Sequence, residues 1–193
     1  MVTKSPNGLQ SIRINIVPLP IAFISTVGED GTFNAAPYSL VIPVSWQPPI
    51  ICVSFGLKRG QKKDTMKNLE YSKCFVVNIM DENFMEPVVK AAIEYPSDVD
   101  EIKEIGLTAL AADQVSSPRV AEAQVSLECR FMQKVEFGSG EKLRTVIFGE
   151  VLLIHVKDEV WTGDNIDPYR LKAVGRLSNK TYCRTSDIFK LKR

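Results

Sequence analysis

The chain is organised around short β-rich runs that are separated by turn residues. The first run, residues 21–27, leads into Gly28-Glu29-Asp30-Gly31, and a second run begins at Thr32. The Asp-Gly step supplies the positive φ that a tight hairpin needs. Two later runs, residues 50–55 and 74–79, are nearly all apolar, which predicts strands that are buried on both faces. Sheets, rather than helices, are therefore expected to form the core.

Two runs in the second half of the chain extend this pattern. Residues 125–131 alternate between apolar and polar side chains, so one face of this strand meets the core and the other meets water. Residues 145–156 form a longer run than the usual strand of about five or six residues, and Gly149 is expected to permit a bulge or bend within it. A long strand that bends is typical of barrels, in which the sheet must curl to close.

Helical signals are fewer, and they predict three short helices. These are residues 66–70 capped by Asp64-Thr65, residues 84–94 with Pro87 in the first turn, and a helix that opens at Pro96-Ser97-Asp98 and runs through Glu101–Glu104 to a stop at Gly106. Residues 107–118 are predicted to be irregular. Because strands and helices do not alternate, the pattern favours a mainly β fold, a closed or semi-closed barrel with short helical insertions. No linker or repeat divides the chain, so we expect one domain over residues 1–193, with its core at about 18–183 and tails outside it.

Composition narrows the function classes. The 24 basic and 23 acidic side chains leave a net charge of +1, which argues against a dedicated nucleic-acid binder. No apolar run approaches the roughly 20 residues that span a bilayer, and residues 1–8 lack the apolar core of a signal peptide. We therefore expect a cytoplasmic protein that binds neither nucleic acid nor a membrane.

Side chains for difficult chemistry are scarce. The one histidine, His155, lies in a strand-like run without a visible partner, and the familiar nucleophile, phosphate-loop and dinucleotide motifs are missing. The four cysteines are scattered, and three of them lie in apolar runs, where a small buried hydrophobe is the usual role. The sequence thus predicts no catalytic side chain and no metal site, and it favours chemistry carried by a cofactor.

Three stretches are candidates for ligand binding, each with a plainer alternative. Residues 58–65 place lysines and a threonine at a helix start, which suits a phosphate, although a solvated basic loop capped by Asp64 has the same sequence. Residues 33–39 combine small side chains with Asn34 and Ser39, which suits a flat ligand or an edge strand that ends in a proline turn. Residues 169–177, with Tyr182 close behind, suit an anion and a ring, or simply a docked tail.

The order of these segments resembles the flavin reductase-like family of FMN-binding split barrels, which includes flavoredoxins and the reductase components of two-component monooxygenases. The similarity runs from about Pro20 to Tyr182 and depends on the ordered set rather than on one motif. The matching stretches are 20–26, 31–39, 48–54, 63–65 with Asn68, 75–78, 94–96 with Glu101, 106–108, 118–122, 127–129, 148–151 and 174–177.

The resemblance implies a Greek-key split barrel that forms a homodimer, with FMN near the subunit interface. It also implies which residues bind the cofactor. Those for the ring are Asn34, Ala35, Ala36, Pro37, Tyr38, Ser39, Ser54 and Phe55; those for the phosphate are Lys62, Lys63, Asp64 and Thr65; and Lys90, Arg176 and Tyr182 are further flavin contacts. Ala35 and Ala36 depart from the commonest family form, which has a serine or threonine there, so ring recognition would use main-chain N–H groups.

The resemblance further implies a hydride transfer from NAD(P)H to FMN, with electrons passed on to a flavin or to a protein acceptor such as a monooxygenase component. The alternatives are a non-catalytic FMN-binding electron carrier of the flavoredoxin type and a split barrel that holds pyridoxal phosphate or haem, the latter through His155. A structural interaction protein, with the basic loop as plain surface, is a further alternative. Residues 40–46 are apolar and are either an interface patch or ordinary core.

Overall fold

A computed structural model of the chain describes residues 16–91, 93 and 95–191. The predictions made for residues 1–8 and for Glu94 lie outside these residues. The strands are β1 Leu19–Pro20, β2 Ala22–Val27, β3 Phe33–Tyr38, β4 Val41–Trp46, β5 Pro49–Gly56, β6 Cys74–Ile79, β7 Ala109–Leu110, β8 Arg119–Val120, β9 Val125–Phe137, β10 Arg144–Val156, β11 Val174–Ser178 and β12 Thr181–Arg184. The α-helices are α1 Asp64–Ser72, α2 Met85–Lys90, α3 Glu101–Glu104 and α4 Pro168–Leu171, and residues 140–142 and 158–160 form 3₁₀ turns.

Seven strands form one antiparallel sheet in the order β3-β2-β6-β9-β10-β5-β4. Its two edge strands, β3 and β4, are consecutive in the chain and are joined only by Ser39 and Leu40. Because each Cα–Cα step spans about 3.8 Å, this connection forces the two edges of the sheet to approach each other. The sheet therefore curls into a barrel with an open seam between β3 and β4.

Two apolar clusters hold this arrangement together. One fills the barrel and contains Phe75, Leu69 and Ile147, all completely buried. The other lies outside the sheet, where Phe23 meets the side chains of α2 and α3, including Phe84 with its ring centroid 6.4 Å away. The strands of residues 21–27 and 74–79 separate the two clusters, which explains why both strands are buried on both faces. The same prediction for residues 50–55 is wrong, because β5 alternates the buried Ile51, Val53 and Phe55 with residues that are only partly buried.

The long strand β10 bends as its sequence predicts. Its pairing with β9 shifts register between Phe148 and Gly149 and again between Val151 and Leu153. A Cβ atom on Gly149 would lie 2.5 Å from Cζ of Phe75. Glycine is therefore required at this bend by the close approach of a core ring, and the bend lets one strand follow the curled sheet.

The predicted strands and the first hairpin are confirmed, with corrections at element ends. The prediction that the polar face of residues 125–131 meets water is wrong for Ser126 and Glu128, which are buried, and only Arg130 on that face is exposed. The hairpin of β2 and β3 turns through Gly31 at φ +85°, and the helix expected from residue 84 begins at Met85. The segment 107–118 is less irregular than predicted, because Ala109–Leu110 pairs with the two residues of β8. The alternative of ordinary core for residues 40–46 is wrong, since β4 is an edge strand whose side chains, apart from Val41, are largely exposed.

Candidate functional site

Three clefts open at the end of the seam where β3 leads into Ser39 and Leu40, and all three are lined by Pro37 and Tyr38. We name them the polar, middle and apolar clefts. The polar cleft, about 300 Å³, adds Asn34, Ala36, Leu57, Lys58, Lys63, Asp64, Thr65, Ala91, Ile93 and Glu101. The middle cleft, about 610 Å³, adds Ser39, Ser54, Gly56, Lys63, Arg144, Arg176 and neighbouring residues. The apolar cleft, about 710 Å³, adds Ile21, Met80, Val88, Val89, Ile93, Arg176, Lys180, Tyr182 and neighbours.

Helix α1 begins at the wall of the polar cleft. The sequence predicted Asp64-Thr65 as its cap, but the N-cap residue is Lys63, and Asp64 and Thr65 form the first turn. The Lys63 side chain cannot accept a hydrogen bond, so no side chain caps this turn. The helix therefore presents N–H groups and the positive end of its dipole without a protein carboxylate or hydroxyl on them, which suits an anion.

Cations converge on the same place. The Lys63 ammonium group is half-buried and lies 5.1 Å from the centre of the Tyr38 ring. Burial, together with the nearby charges of Lys58 and Arg144, lowers the pKa of Lys63 below its usual value. The Arg144 guanidinium packs directly over Gly56, where a Cβ atom would overlap it. Mutual repulsion among these cations is relieved by an anion bound between them, so their arrangement favours an anionic ligand.

A chain of hydrogen bonds fixes the wall between the polar and middle clefts. The buried Tyr38 hydroxyl donates to Thr65 Oγ1 at 2.9 Å, and Thr65 Oγ1 donates to Asn34 Oδ1 at 2.7 Å. Burial raises the pKa of Tyr38 above its usual range, so this hydroxyl stays a donor. Because the Thr65 hydroxyl hydrogen is already committed to Asn34, the group that Thr65 offers a ligand is its backbone N–H.

Glu101 closes this network from the first turn of α3. Its Oε2 accepts hydrogen bonds from Asn34 Nδ2 at 2.7 Å and from the Ala35 backbone N–H at 2.9 Å. The residue is 8% exposed, and burial raises its pKa from 4.5 to about 7, although the Ala35 hydrogen bond opposes the shift. The polar cleft thus contains a carboxyl group that changes charge near neutral pH.

The other two clefts supply a polar slot and an apolar wall. Arg176 on β11 lies between them and donates to Ser39 Oγ at 3.4 Å and to the Asn179 carbonyl at 2.9 Å. Ser54 on β5 faces the middle cleft, and Tyr182 on β12 faces the apolar cleft. A flat ligand with an anionic tail has matching surfaces here: cations at one end of the seam and an aromatic, apolar wall at the other.

The structure brings most of the predicted site residues together along the seam. Those that line one or more of the three clefts are Asn34, Ala36, Pro37, Tyr38, Ser39, Ser54, Lys63, Asp64, Thr65, Arg176 and Tyr182. The others are not among the lining residues. Lys62 is exposed and paired with Glu70 at 2.7 Å, and Lys90 is exposed at the end of α2. Phe55 and Ala35 are buried, and the Phe55 ring supports Tyr38 edge-to-face at 4.7 Å.

Two important residues were missed by the sequence reasoning, Glu101 as a site residue and Arg144. Arg144 reaches the seam because it pairs with Gly56 across β10 and β5, 88 positions away in the chain. Glu101 contacts a strand 66 residues earlier. No local motif marks either residue, since each becomes part of the site only through tertiary pairing.

His155 has a partner that the sequence did not reveal. Its Nε2 lies 2.6 Å from Oε1 of the buried Glu128, which also accepts the backbone N–H groups of Asp113 and Gln114. Burial raises the pKa of Glu128, but these hydrogen bonds outweigh it and hold the pKa below the usual value. His155 lies at the opposite end of β10 from Arg144 and lines a separate cleft of about 370 Å³, together with Gln124 and Lys157, rather than the three clefts named above.

The curled antiparallel sheet, with a cation-lined seam beside a helix start, defines a split barrel with a site for an anionic ligand. The chain belongs to the flavin reductase like domain family, whose sequence model matches residues 14–168. Membership places it among proteins of flavin-related redox function. No helix in the described part of the chain is long and apolar enough to cross a membrane.

Similar proteins agree with this assignment. An uncharacterised protein of Aquifex aeolicus is 36% identical over 179 residues, 92% of this chain and 89% of that protein. The structure of nitrilotriacetate monooxygenase component B from Bacillus cereus is 29% identical, with a TM-score of 0.91 over 99% of this chain and 98% of that chain. Two structures at lower identity are similar in fold alone. A putative flavin reductase with a split barrel domain from Shewanella frigidimarina has a TM-score of 0.84 at 18% identity, over 100% of both chains. The flavoredoxin of Desulfovibrio vulgaris has a TM-score of 0.82 at 19% identity, over 98% of this chain and 97% of that chain.

Proposed function

We propose that the chain is an FMN-dependent oxidoreductase that accepts hydride from NAD(P)H and passes electrons to a flavin or to a protein acceptor. The observation that carries the proposal is the convergence of the uncapped start of α1 with Lys58, Lys63 and Arg144 on one seam of the barrel. A phosphate ester satisfies both the free N–H groups and the cations. The family assignment supports a flavin as the rest of the ligand.

The residues of the seam suit each part of FMN. The backbone N–H groups of the first turn of α1, with Lys63, would hold the phosphate. The backbone from Ala36 to Ser39, with Ser54, would line the isoalloxazine ring, and Tyr182 would bound its apolar side. Bound FMN supplies hydride and electron transfer, so no side-chain nucleophile is needed and the protein contributes position and electrostatics.

Orientation is the task of the hydrogen-bonded wall. The hydrogen bonds run in one direction, from the Tyr38 hydroxyl to Thr65 and from the Thr65 hydroxyl to Asn34. They fix the main chain of β3, which would face the ring, before the ligand binds. Arg176, tethered to Ser39 and to the Asn179 carbonyl, keeps a positive charge at the boundary of the middle and apolar clefts. That charge attracts the anionic co-substrate and excludes cationic competitors.

The test compares two neighbouring lysines. FMN is titrated into the purified protein while its fluorescence and visible spectrum are followed, and wild type is expected to quench it at micromolar concentration. Lys63→Gln should weaken FMN binding about tenfold, the usual size of one charge-assisted contact. Lys62→Gln should leave it unchanged, because the Lys62 ammonium is paired with Glu70. Equal losses for the two variants would place the phosphate on the exposed loop instead, as the sequence prediction for Lys62 implies.

A steady-state assay then separates the enzyme from the carrier. Oxidation of NADH or NADPH with an added flavin acceptor is expected for the reductase. Tight FMN without turnover would establish the flavoredoxin-type electron carrier. A protein that leaves FMN fluorescent at every concentration would refute both, and the remaining split-barrel ligands would then be tested by their own spectra.

We propose, as part of this function, a homodimer formed through β4. This edge strand exposes Ile42, Val44 and Trp46, and the Trp46 side chain is 84% exposed. A row of apolar side chains on an unpaired edge is a self-association surface, and a second copy of the chain presents the same row. Ile42→Lys should turn the dimer into a monomer in light scattering after gel filtration. A wild-type protein that is monomeric at high concentration would remove the proposal.

We propose that the protein is localised in the cytoplasm. All four cysteines are free, which suits a reducing compartment.

The likeness to a monooxygenase component B supports a partner enzyme as the acceptor of electrons. Reduced flavin transfer to an added monooxygenase component, measured by the consumption of that enzyme's substrate, tests this part of the proposal.

A further inference from the structure

Among the residues that the structure describes, Glu101 is the one carboxyl group lining the polar cleft that is both buried and hydrogen-bonded to its wall. It lines the same cleft as Lys58, Lys63 and the first turn of α1. Its Oε2 is fixed by two N–H donors, the Asn34 amide and the Ala35 main chain. The proposed function gives this carboxyl no task, yet it lies where an added negative charge opposes a phosphate.

The charged groups around Glu101 come from each element that packs against it. Asp64 on α1 and Asp100 before α3 disfavour its ionised form, whereas Lys58, in the loop before α1, favours it. From the side of α2 the cleft is lined by Ala91 and Ile93, which carry no charge. Asp64 itself is paired with Lys67 at 2.8 Å. When another anion enters the cleft, Glu101 is therefore the carboxyl group whose protonation is most favoured.

We propose that Glu101 couples the binding of a phosphate-bearing flavin to proton uptake by its own carboxyl group, so that the site selects its ligand by the charge of the tail. This inference rests on the proposed function. When Glu101 is neutral, the cations and the start of α1 face the phosphate without a competing carboxylate. When Glu101 is ionised, it competes for the same positive field, and the affinity for the phosphate falls. Riboflavin, which has no phosphate, is unaffected by this change.

The expected size follows from linkage between the two sites. With a tenfold coupling, within the usual range of roughly 5- to 150-fold, and a pKa of about 7 for the free protein, Glu101 in the complex titrates near pH 8. Wild type should then take up about 0.4 proton per FMN bound at pH 8. Glu101→Gln, which keeps an oxygen acceptor for Asn34 and Ala35, should bind FMN about fivefold more tightly than wild type at pH 8 and equally at pH 6.

The experiment measures FMN and riboflavin binding to wild type, Glu101→Gln and Glu104→Gln between pH 6 and 9. Glu104 is exposed on the same helix and serves as the matched control. Calorimetry of the wild type in two buffers of different ionisation enthalpy gives the proton uptake directly and does not depend on any variant. Because the phosphate of FMN titrates near pH 6, it is dianionic at pH 8 and adds little to that uptake.

The result expected is proton uptake with FMN, none with riboflavin, and an affinity ratio between Glu101→Gln and wild type that grows with pH for FMN alone. FMN binding without proton uptake would overturn the inference and leave the proposed function standing. An equal pH-dependent gain in Glu104→Gln would also overturn it, since surface charge would then explain the effect. A wild type that binds no FMN at any pH would overturn the proposed function, and this inference with it.

Discussion

The burial of Glu101 has a measurable cost in the stability of the ligand-free protein. Its pKa rises from 4.5 to about 7 on folding, so between these values the folded state holds a proton that the unfolded state releases. The free energy of unfolding therefore falls as the pH rises through this window. The stabilisation by the proton on Glu101 is fully present below the window. At about 1.4 kcal/mol for each pH unit between 4.5 and about 7, the loss above pH 7 comes to at most about 3.5 kcal/mol.

Glu101→Gln removes this loss, because glutamine carries no charge and its oxygen accepts the same two hydrogen bonds. We expect its free energy of unfolding to exceed that of wild type by about 2 to 3 kcal/mol at pH 8 and to match it near pH 4.5. Urea denaturation followed by tryptophan fluorescence at both pH values measures this difference, with Glu104→Gln as the control. A difference that is the same at the two pH values would refute the reasoning, because it would then come from packing rather than from ionisation.

Three other substitutions test separate parts of the structure. Gly149→Ala should lower the free energy of unfolding by about 1 to 3 kcal/mol through overlap with the Phe75 ring, and Phe75→Leu in the same chain should restore part of it in urea denaturation. Thr65→Val should cost about 1 to 3 kcal/mol by leaving the buried Tyr38 hydroxyl without its acceptor, whereas Thr65→Ser should stay near wild type by the same measurement. Glu128→Gln should loosen residues 111–117, because one backbone N–H group then faces an amide donor, and limited proteolysis with mass spectrometry should detect new cleavage there. The pKa of Glu128 is lowered in the folded chain, so the stabilisation by its carboxylate is lost as the pH falls through that pKa. The difference between Glu128→Gln and wild type should therefore shrink in acid.

The local sequence predicts the strands well because their signals are short-range. The tight turn at Gly31 depends on residues that are close in the chain, and the bend at Gly149 is marked by a glycine within an otherwise regular strand run. The pairing order of the strands is different, since β2 lies beside β6 and β10 beside β5 for reasons of core packing that no single run contains. The barrel was therefore predicted as a class, and its seam was not.

The residues of the site fall into the same two groups, those with a local sequence signal and those placed by tertiary packing. Lys63 and the first turn of α1 were predicted because a run of basic residues directly before a helix start is visible in the sequence. The roles of Thr65 and Lys62 depend on side-chain partners, Asn34 in one case and Glu70 in the other, and a sequence does not show which way a side chain turns. Glu101 joins the site only when α3 packs against β3, so its part in the cleft is a property of the folded chain.

The link of Ser39 and Leu40 sets the width of the barrel opening at one end, because Tyr38 and Val41 are only three Cα–Cα steps of about 3.8 Å apart along the chain. Pro37 and Tyr38, which line all three clefts, lie directly beside this link. The portion of a ligand that contacts them is therefore held where covalent geometry fixes the gap, whereas the gap elsewhere depends on side-chain packing.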